Sequence, residues 1–176
     1  MLDNEILATT TIDLFYYNLG SFTLQIIAAD MAGNTSENMI QFAITADIDS
    51  TISDISRVYL EGMIIKERVK NYLIKELEKI EKYIEKYGQR QEKRDEKFEK
   101  RLKNCGKVKN QEKCEKTITK LYNKITYRLN KVHHKIVVKD CQNIIKHLQD
   151  YYKKEWINEE GYGIIKEDIS FLINNL

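Results

Sequence analysis

Not one proline interrupts the 176-residue chain, and only 7 glycines are present to make turns. Proline ends helices because its ring fixes φ and removes a backbone donor, and glycine opens turn conformations closed to other residues. With so few interruptions, most of the chain is expected to be long helix. The 32% charged and 42% hydrophobic residues are the balance of an ordinary folding chain rather than a disordered one. No run approaches the roughly 20 uncharged residues of a spanning helix. Met1 is followed by Leu2-Asp3-Asn4-Glu5 rather than by a basic region and an apolar core, so neither a membrane anchor nor a signal peptide is expected.

The net charge of +2 conceals a partition. Residues 1–50 contain seven acids and no Lys or Arg, which leaves 29 bases against 20 acids in the rest of the chain. Within that remainder, residues 88–131 hold 15 bases and 6 acids, while the flanking segments balance at 14 of each. The excess positive charge therefore belongs to one internal segment, and the chain divides into an acidic module at 1–48 and a second module at 49–176.

In the acidic module, Phe22, Leu24, Ile26 and Ala28 alternate along one segment, and Ile40, Phe42 and Ile44 along another. This is the period of half-buried strands. Between them, Asp30-Met31-Ala32-Gly33-Asn34-Thr35-Ser36 supplies side chains that bond their own backbone and a glycine for positive φ, so a hairpin is expected. A shorter strand is expected over Thr10 to Leu14. Three strands cannot make two packed sheets, so one apolar face stays open unless something covers it. Leu19-Gly20-Ser21-Phe22-Thr23-Leu24, followed by Ala28-Ala29-Asp30-Met31-Ala32-Gly33-Asn34-Thr35-Ser36, resembles the closing strands of bacterial immunoglobulin-like repeats. Phe22 stands where that family usually has His. The resemblance implies a partial immunoglobulin-like sheet, an extracellular or cell-surface setting, and upstream domains in a longer parent chain.

After Asp47 the period becomes helical. Ile52, Ile55, Val58 and Tyr59 share a face of a short helix that begins near Asp49-Ser50-Thr51 and ends at Gly62. Val69, Leu73, Leu77, Ile80, Ile84 and Tyr87 form the core stripe of a second helix. Ile118, Tyr122, Ile125, Leu129, Val132 and Ile136 alternate as in a two-helix seam, and the stripe continues through Val138, Cys141, Ile145, Leu148 and Tyr152. A turn near Glu159-Glu160-Gly161 and a closing helix with Ile165, Ile169, Leu172 and Ile173 complete the pattern.

The whole is expected to be mainly α: a short β-hairpin, then an antiparallel helical bundle with a long helical-hairpin arm at about 88–131. The "LxxKLxxIExxI" rhythm that Leu73 to Ile84 follows except for Glu76 at the Lys position, Ile144-Ile145-Lys146-His147-Leu148 with Tyr151, and Gly163 to Ile173 make the bundle similar to the FIMAH domain. That is a helical module near the C-termini of multidomain extracellular bacterial proteins. The resemblance supplies no catalytic residues, and the family turns soon after its second helix, where this chain inserts the arm.

Cys105 and Cys114 fall on the inner seam and flank Gly106 at the apparent hairpin tip. In an oxidising compartment a disulfide there would offset the weak core of the arm by about 2 to 3 kcal/mol; in a reducing one they would be two thiols. Cys141, on the core face, reads as an inert apolar residue. A metal centre needs two more ligands at the tip, where Asn104, Lys107, Lys109 and Lys113 are found instead. His133 and His134 point about 100° apart on a helix and cannot chelate together. His147, at helical distance from Asn143 and Tyr151, reads as a partly buried structural residue. Glu76, Glu78, Glu81 and Glu85 lie among lysines at helical spacing, as on a solvated face. No phosphate loop or nucleophile elbow is present, so no enzyme activity and no cofactor are expected.

The arm invites a ligand. Arg90, Lys93, Arg94, Lys97, Lys100, Arg101, Lys103, Lys107, Lys109, Lys113, Lys116, Lys120, Lys124, Arg128 and Lys131 would make a basic rod whose field attracts polyanions. The plainer account is that these side chains keep a long exposed helix soluble. From Gln89 to Lys103 the only large apolar residues are Phe98 and Leu102, so this half must be thin and mobile or paired. The expected function is a noncatalytic C-terminal accessory module of a surface or secreted protein, attaching to or binding an anionic polysaccharide or cell-wall polymer. The alternative is an intracellular coiled-coil adaptor that binds nucleic acid or a partner helix, although aromatic stacking partners are sparse along the arm.

Overall fold

A computed structural model describes residues 13–175. The protein is mainly helical, with one antiparallel hairpin ahead of four helices: β1 (Gly20–Ala29), β2 (Thr35–Ile44), α1 (Ile48–Leu60), α2 (Glu67–Cys105), α3 (Gln111–Lys153) and α4 (Glu159–Asn175). The strand expected over Thr10 to Leu14 lies mostly outside the described residues. Leu14 itself belongs to a single 3₁₀ turn, Leu14–Tyr16, begun by the Asp13 carboxylate accepting from the Phe15 amide.

The hairpin register places Phe22 opposite Phe42 and Leu24 opposite Ile40, so the alternating apolar residues share one face. Phe22 and Phe42 stack at 5.8 Å between ring centroids. At the turn, Asp30 Oδ1 accepts from the amides of Ala32 and Asn34, and Gly33 takes a φ of +86°. Both faces are largely open: Leu24, Ile26 and Ile40 are exposed on one, Ile27 and Met39 on the other, and no described element covers either.

The N-cap of α1 is Asp47, two residues before the expected start. Its side chain accepts from the Ser50 amide while the Ser50 hydroxyl accepts from the Asp47 amide, a reciprocal capping box. Gly62, at φ +78°, ends the helix in a Schellman motif: its amide donates to Tyr59 O, and the Met63 amide donates to Val58 O.

Helices α1 and α4 pack against the basal halves of α2 and α3. Ile55, Val58, Leu73, Leu77, Ile144, Leu148, Ile165 and Ile169 form a core sealed from water. At the end remote from the arm, two loops are sewn together where the Ile65 amide donates to Trp156 O and the Asn158 amide to Met63 O. Glu159, Glu160 and Gly161, expected as a turn, instead form the first turn of α4. The chain reverses just before, at Lys154 to Asn158, where Glu155 adopts a φ of +57°, and Asn158 Oδ1 accepts from the Gly161 amide.

The stripe of α3 also departs from expectation. Val137, Cys141, Ile144 and Leu148 are buried, whereas Val132, Ile136 and Tyr152 are exposed and Val138 and Ile145 only half-buried. Two apolar stripes run side by side on this helix. The packed one is selected by what α2 offers: Tyr83 and Tyr87 clasp His133, at 5.2 and 3.9 Å between ring centroids, so His133 rather than Val132 turns inward.

Beyond Ile80 and Val137 the bundle is reduced to two helices. At 1.5 Å per residue α2 is about 60 Å long, and α2 and α3 run antiparallel to the tip, where Cys105 and Cys114 are joined by a disulfide. The poorly apolar half of the arm is thus paired with its own returning half.

Candidate functional site

The arm is held together by rings more than by aliphatic packing. Phe98 of α2 stacks on Tyr122 of α3 at 4.1 Å, and the Tyr122 hydroxyl donates to the Asp95 carboxylate, which holds that phenol above its ordinary pKa. One turn nearer the bundle, the Arg94 guanidinium lies 5.5 Å from the centre of the Tyr87 ring. His133, half-buried between two tyrosines and next to His134, is pushed below the usual histidine pKa, desolvation being the larger cause.

The rod is not uniformly basic. Arg90, Arg94, Lys97 and Arg101 follow one another at spacings of four, three and four, which places them on one flank of α2. Glu92, Asp95 and Glu99 repeat at three and four on the opposite flank. The basic flank borders a groove between the helices, lined by Arg94, Lys97, Phe98 and Arg101 from α2 and by Ile118, Leu121, Tyr122, Ile125 and Thr126 from α3, with a volume of about 170 Å³. Leu121 is 51% exposed and Ile125 is 42% exposed. These two residues fall off the packed stripe and form the open floor of the groove.

Of the expected anion-binding residues, the structure brings Arg94, Lys97 and Arg101 to one place, with Arg90 one turn along the same flank. Lys93 and Lys100 fall behind α2, and Lys113, Lys116, Lys120 and Lys124 are strung along the outer side of α3. Lys107 and Lys109 occupy the tip, and Arg128 stands exposed toward the base. Lys116 is paired with Glu112. All of these are exposed except Arg94, which is half-buried. Two buried nitrogens of Arg94, Nε and Nη2, have no hydrogen-bond partner among the described residues. That edge of the guanidinium is closed off from solvent. The sequence left Arg94 indistinguishable from its neighbours; the available signal was its position four residues before Phe98, on the same helical row.

The remaining candidates do not converge. Cys141 is buried, and burial pushes its thiol up to about 11, so it is neither nucleophile nor ligand. His147 is exposed rather than partly buried and meets the edge of Tyr72 at 5.3 Å. No group of three or more His, Cys, Asp or Glu side chains suited to a metal ion occurs among the described residues. No described helix is long and apolar enough to cross a membrane.

A feature the sequence reading missed lies at the junction of hairpin and bundle. Asp168 of α4 is buried against Asp54 of α1, beneath the segment from Leu14 to Leu19. Its place three residues after Ile165 and one before Ile169 was the available sign that it faces inward. Glu167, beside it, accepts the Leu19 amide at 2.8 Å, and Arg57 of α1 pairs with Asp13 and Glu61 and covers the Phe15 ring at 3.9 Å. These contacts fix the approach to the hairpin on the bundle. Compared with known protein families, curated proteins and solved structures, the chain finds no match.

Proposed function

We propose that this chain is a noncatalytic accessory module of an extracellular or surface protein, in which the bundle anchors and the arm binds an anionic polymer. The observation that carries the reading is the gathering of Arg94, Lys97 and Arg101 at one groove. The acidic partners that would neutralise this flank sit across the helix, so the field at the groove is positive. The disulfide at the tip supports an oxidising compartment. The resemblances to the end of a bacterial immunoglobulin-like repeat and to a FIMAH domain belong to this proposal, as do upstream domains in a parent chain. No cofactor enters it.

The intracellular alternative, an adaptor for nucleic acid, is less well served. Phe98 and Tyr122 stack on each other, which takes up one face of each ring.

The test is binding to immobilised dextran sulfate across a salt series. Retention that falls steeply with salt, and that is lost in the Arg94→Gln/Lys97→Gln/Arg101→Gln protein but kept in Lys113→Gln/Lys116→Gln/Lys120→Gln, supports the reading. Equal loss in both triple variants reduces the arm to a diffuse basic rod. Absence of binding at low salt ends the proposal, and preference for duplex DNA over dextran sulfate moves it to the nucleic-acid class.

A further inference from the structure

The groove holds more apolar surface than a polysaccharide or a nucleic-acid backbone can use. Polyanions of those kinds are held at their charges, and a basic helix flank alone suffices for them. Here the cations stand beside an open apolar floor. Leu121 and Ile125 are followed, seven and eleven residues after Ile125, by Val132 and Ile136, 54% and 36% exposed and on the same flank of α3. The strip from Leu121 to Ile136 extends about 22 Å along the helix axis. Exposed Arg128 lies between the two pairs on the same row, so each pair sets open apolar side chains beside fixed charge, which suits a ligand that carries both.

From this arrangement we infer that the groove takes a single-chain anionic amphiphile, its phosphate or carboxylate on Arg94, Lys97 and Arg101 and its alkyl chain along Leu121 and Ile125. The inference rests on the anion-binding reading of the same three cations and specifies their ligand. Arg94, Lys97 and Arg101 line the groove together and set their charge around one headgroup. At about 170 Å³ the groove is narrow, suited to one chain rather than a pair. A second copy of this face is a poor occupant, because it would set the same three cations against their own counterparts with the acids on the far flank.

The experiment is calorimetric titration of the unaltered protein with inorganic phosphate, butyl phosphate, hexyl phosphate and octyl phosphate, all kept below micelle formation. Burial of each methylene is worth about 0.8 kcal/mol, so affinity is expected to rise about fourfold per added carbon. Arg94→Gln is expected to lower octyl phosphate affinity about tenfold. Leu121→Ser is expected to weaken octyl phosphate and to flatten the rise of affinity with chain length. An affinity that does not depend on chain length, with dextran sulfate still bound, overturns the amphiphile and leaves the polyanion reading standing. Failure to bind both the phosphates and dextran sulfate overturns the two together. The chain-length series needs no variant, so the folding of a substituted protein does not decide the outcome.

Discussion

Asp168 shows how one residue couples this fold to pH. It is 4% exposed, and its Oδ2 has no hydrogen-bond partner. Burial, and then the neighbouring Asp54 carboxylate, push its pKa up to about 8. Asp54 is itself raised, by burial first. Because the folded state holds a proton that the unfolded chain releases near pH 4, the stabilisation is full below that pH. It declines as pH rises and is gone above about 8. The unfolding free energy is therefore expected to fall between pH 4 and 8, and Asp168→Asn to remove most of that slope and melt several degrees higher than the parent above pH 8. Denaturant titrations of both proteins across this range provide the check, and a parallel slope in the variant would contradict the assignment. Asp13 acts oppositely: Arg57 lowers it to about 2, so its contribution is lost only on acidification below pH 4. Cys141, with its thiol raised to about 11 and 1% exposed, is expected to resist thiol reagents in the native oxidised protein. One cysteine should label after unfolding without reductant, and labelling before unfolding would show the core to be open.

At the scale of elements, α4 lies so close to α1 that one hydrogen atom decides the fit. A Cβ on Gly161 would stand 2.7 Å from Val58 Cγ1 and 3.0 Å from Met63 Cβ, whereas one on Gly163, two residues on, meets nothing within 4 Å. Gly161→Ala is expected to cost about 1–3 kcal/mol through overpacking. Gly163→Ala should stabilise by up to about 1 kcal/mol, by relieving the helix of a flexible residue. Thermal denaturation of the pair separates close packing from helix propensity, since propensity alone would stabilise both. The two stripes of α3 teach a related lesson. Val132 and Ile136 are as apolar as the residues that pack, and periodicity alone could not rank the stripes. The choice was made by Tyr83 and Tyr87, nearly fifty residues away in sequence, closing on His133.

Across the whole molecule, a cohesive bundle carries an arm two helices thick. The core ends at Ile80 and Val137; beyond it, stability comes from the Tyr83–His133–Tyr87 and Phe98–Tyr122 stacks and the disulfide. Closing the short loop between Cys105 and Cys114 is worth about 2.5 kcal/mol of chain entropy, and that gain is local to the tip. In the Cys105→Ser/Cys114→Ser protein, amide hydrogen exchange is expected to accelerate over residues 95–122 and to remain slow over 69–80 and 137–148. Acceleration in both regions would mean that arm and bundle unfold as one unit.

What the sequence determined by itself is whatever depends on neighbours in the chain. The scarcity of Pro and Gly dictated long helices, alternation in Phe22 to Ala28 and Ile40 to Ile44 dictated the hairpin, and Gly62 dictated where α1 stops. The siding of charge on α2 was equally present, since Arg94, Lys97 and Arg101 repeat at helical spacing. Tertiary structure alone decided which of two apolar stripes on α3 would be buried, and with it which became the floor of a groove. It also decided that Asp168 would meet Asp54, and that the Arg94 fork would be left without a protein acceptor. These are outcomes of contact between helices, and no local pattern encodes them because the energy of each belongs to two segments at once.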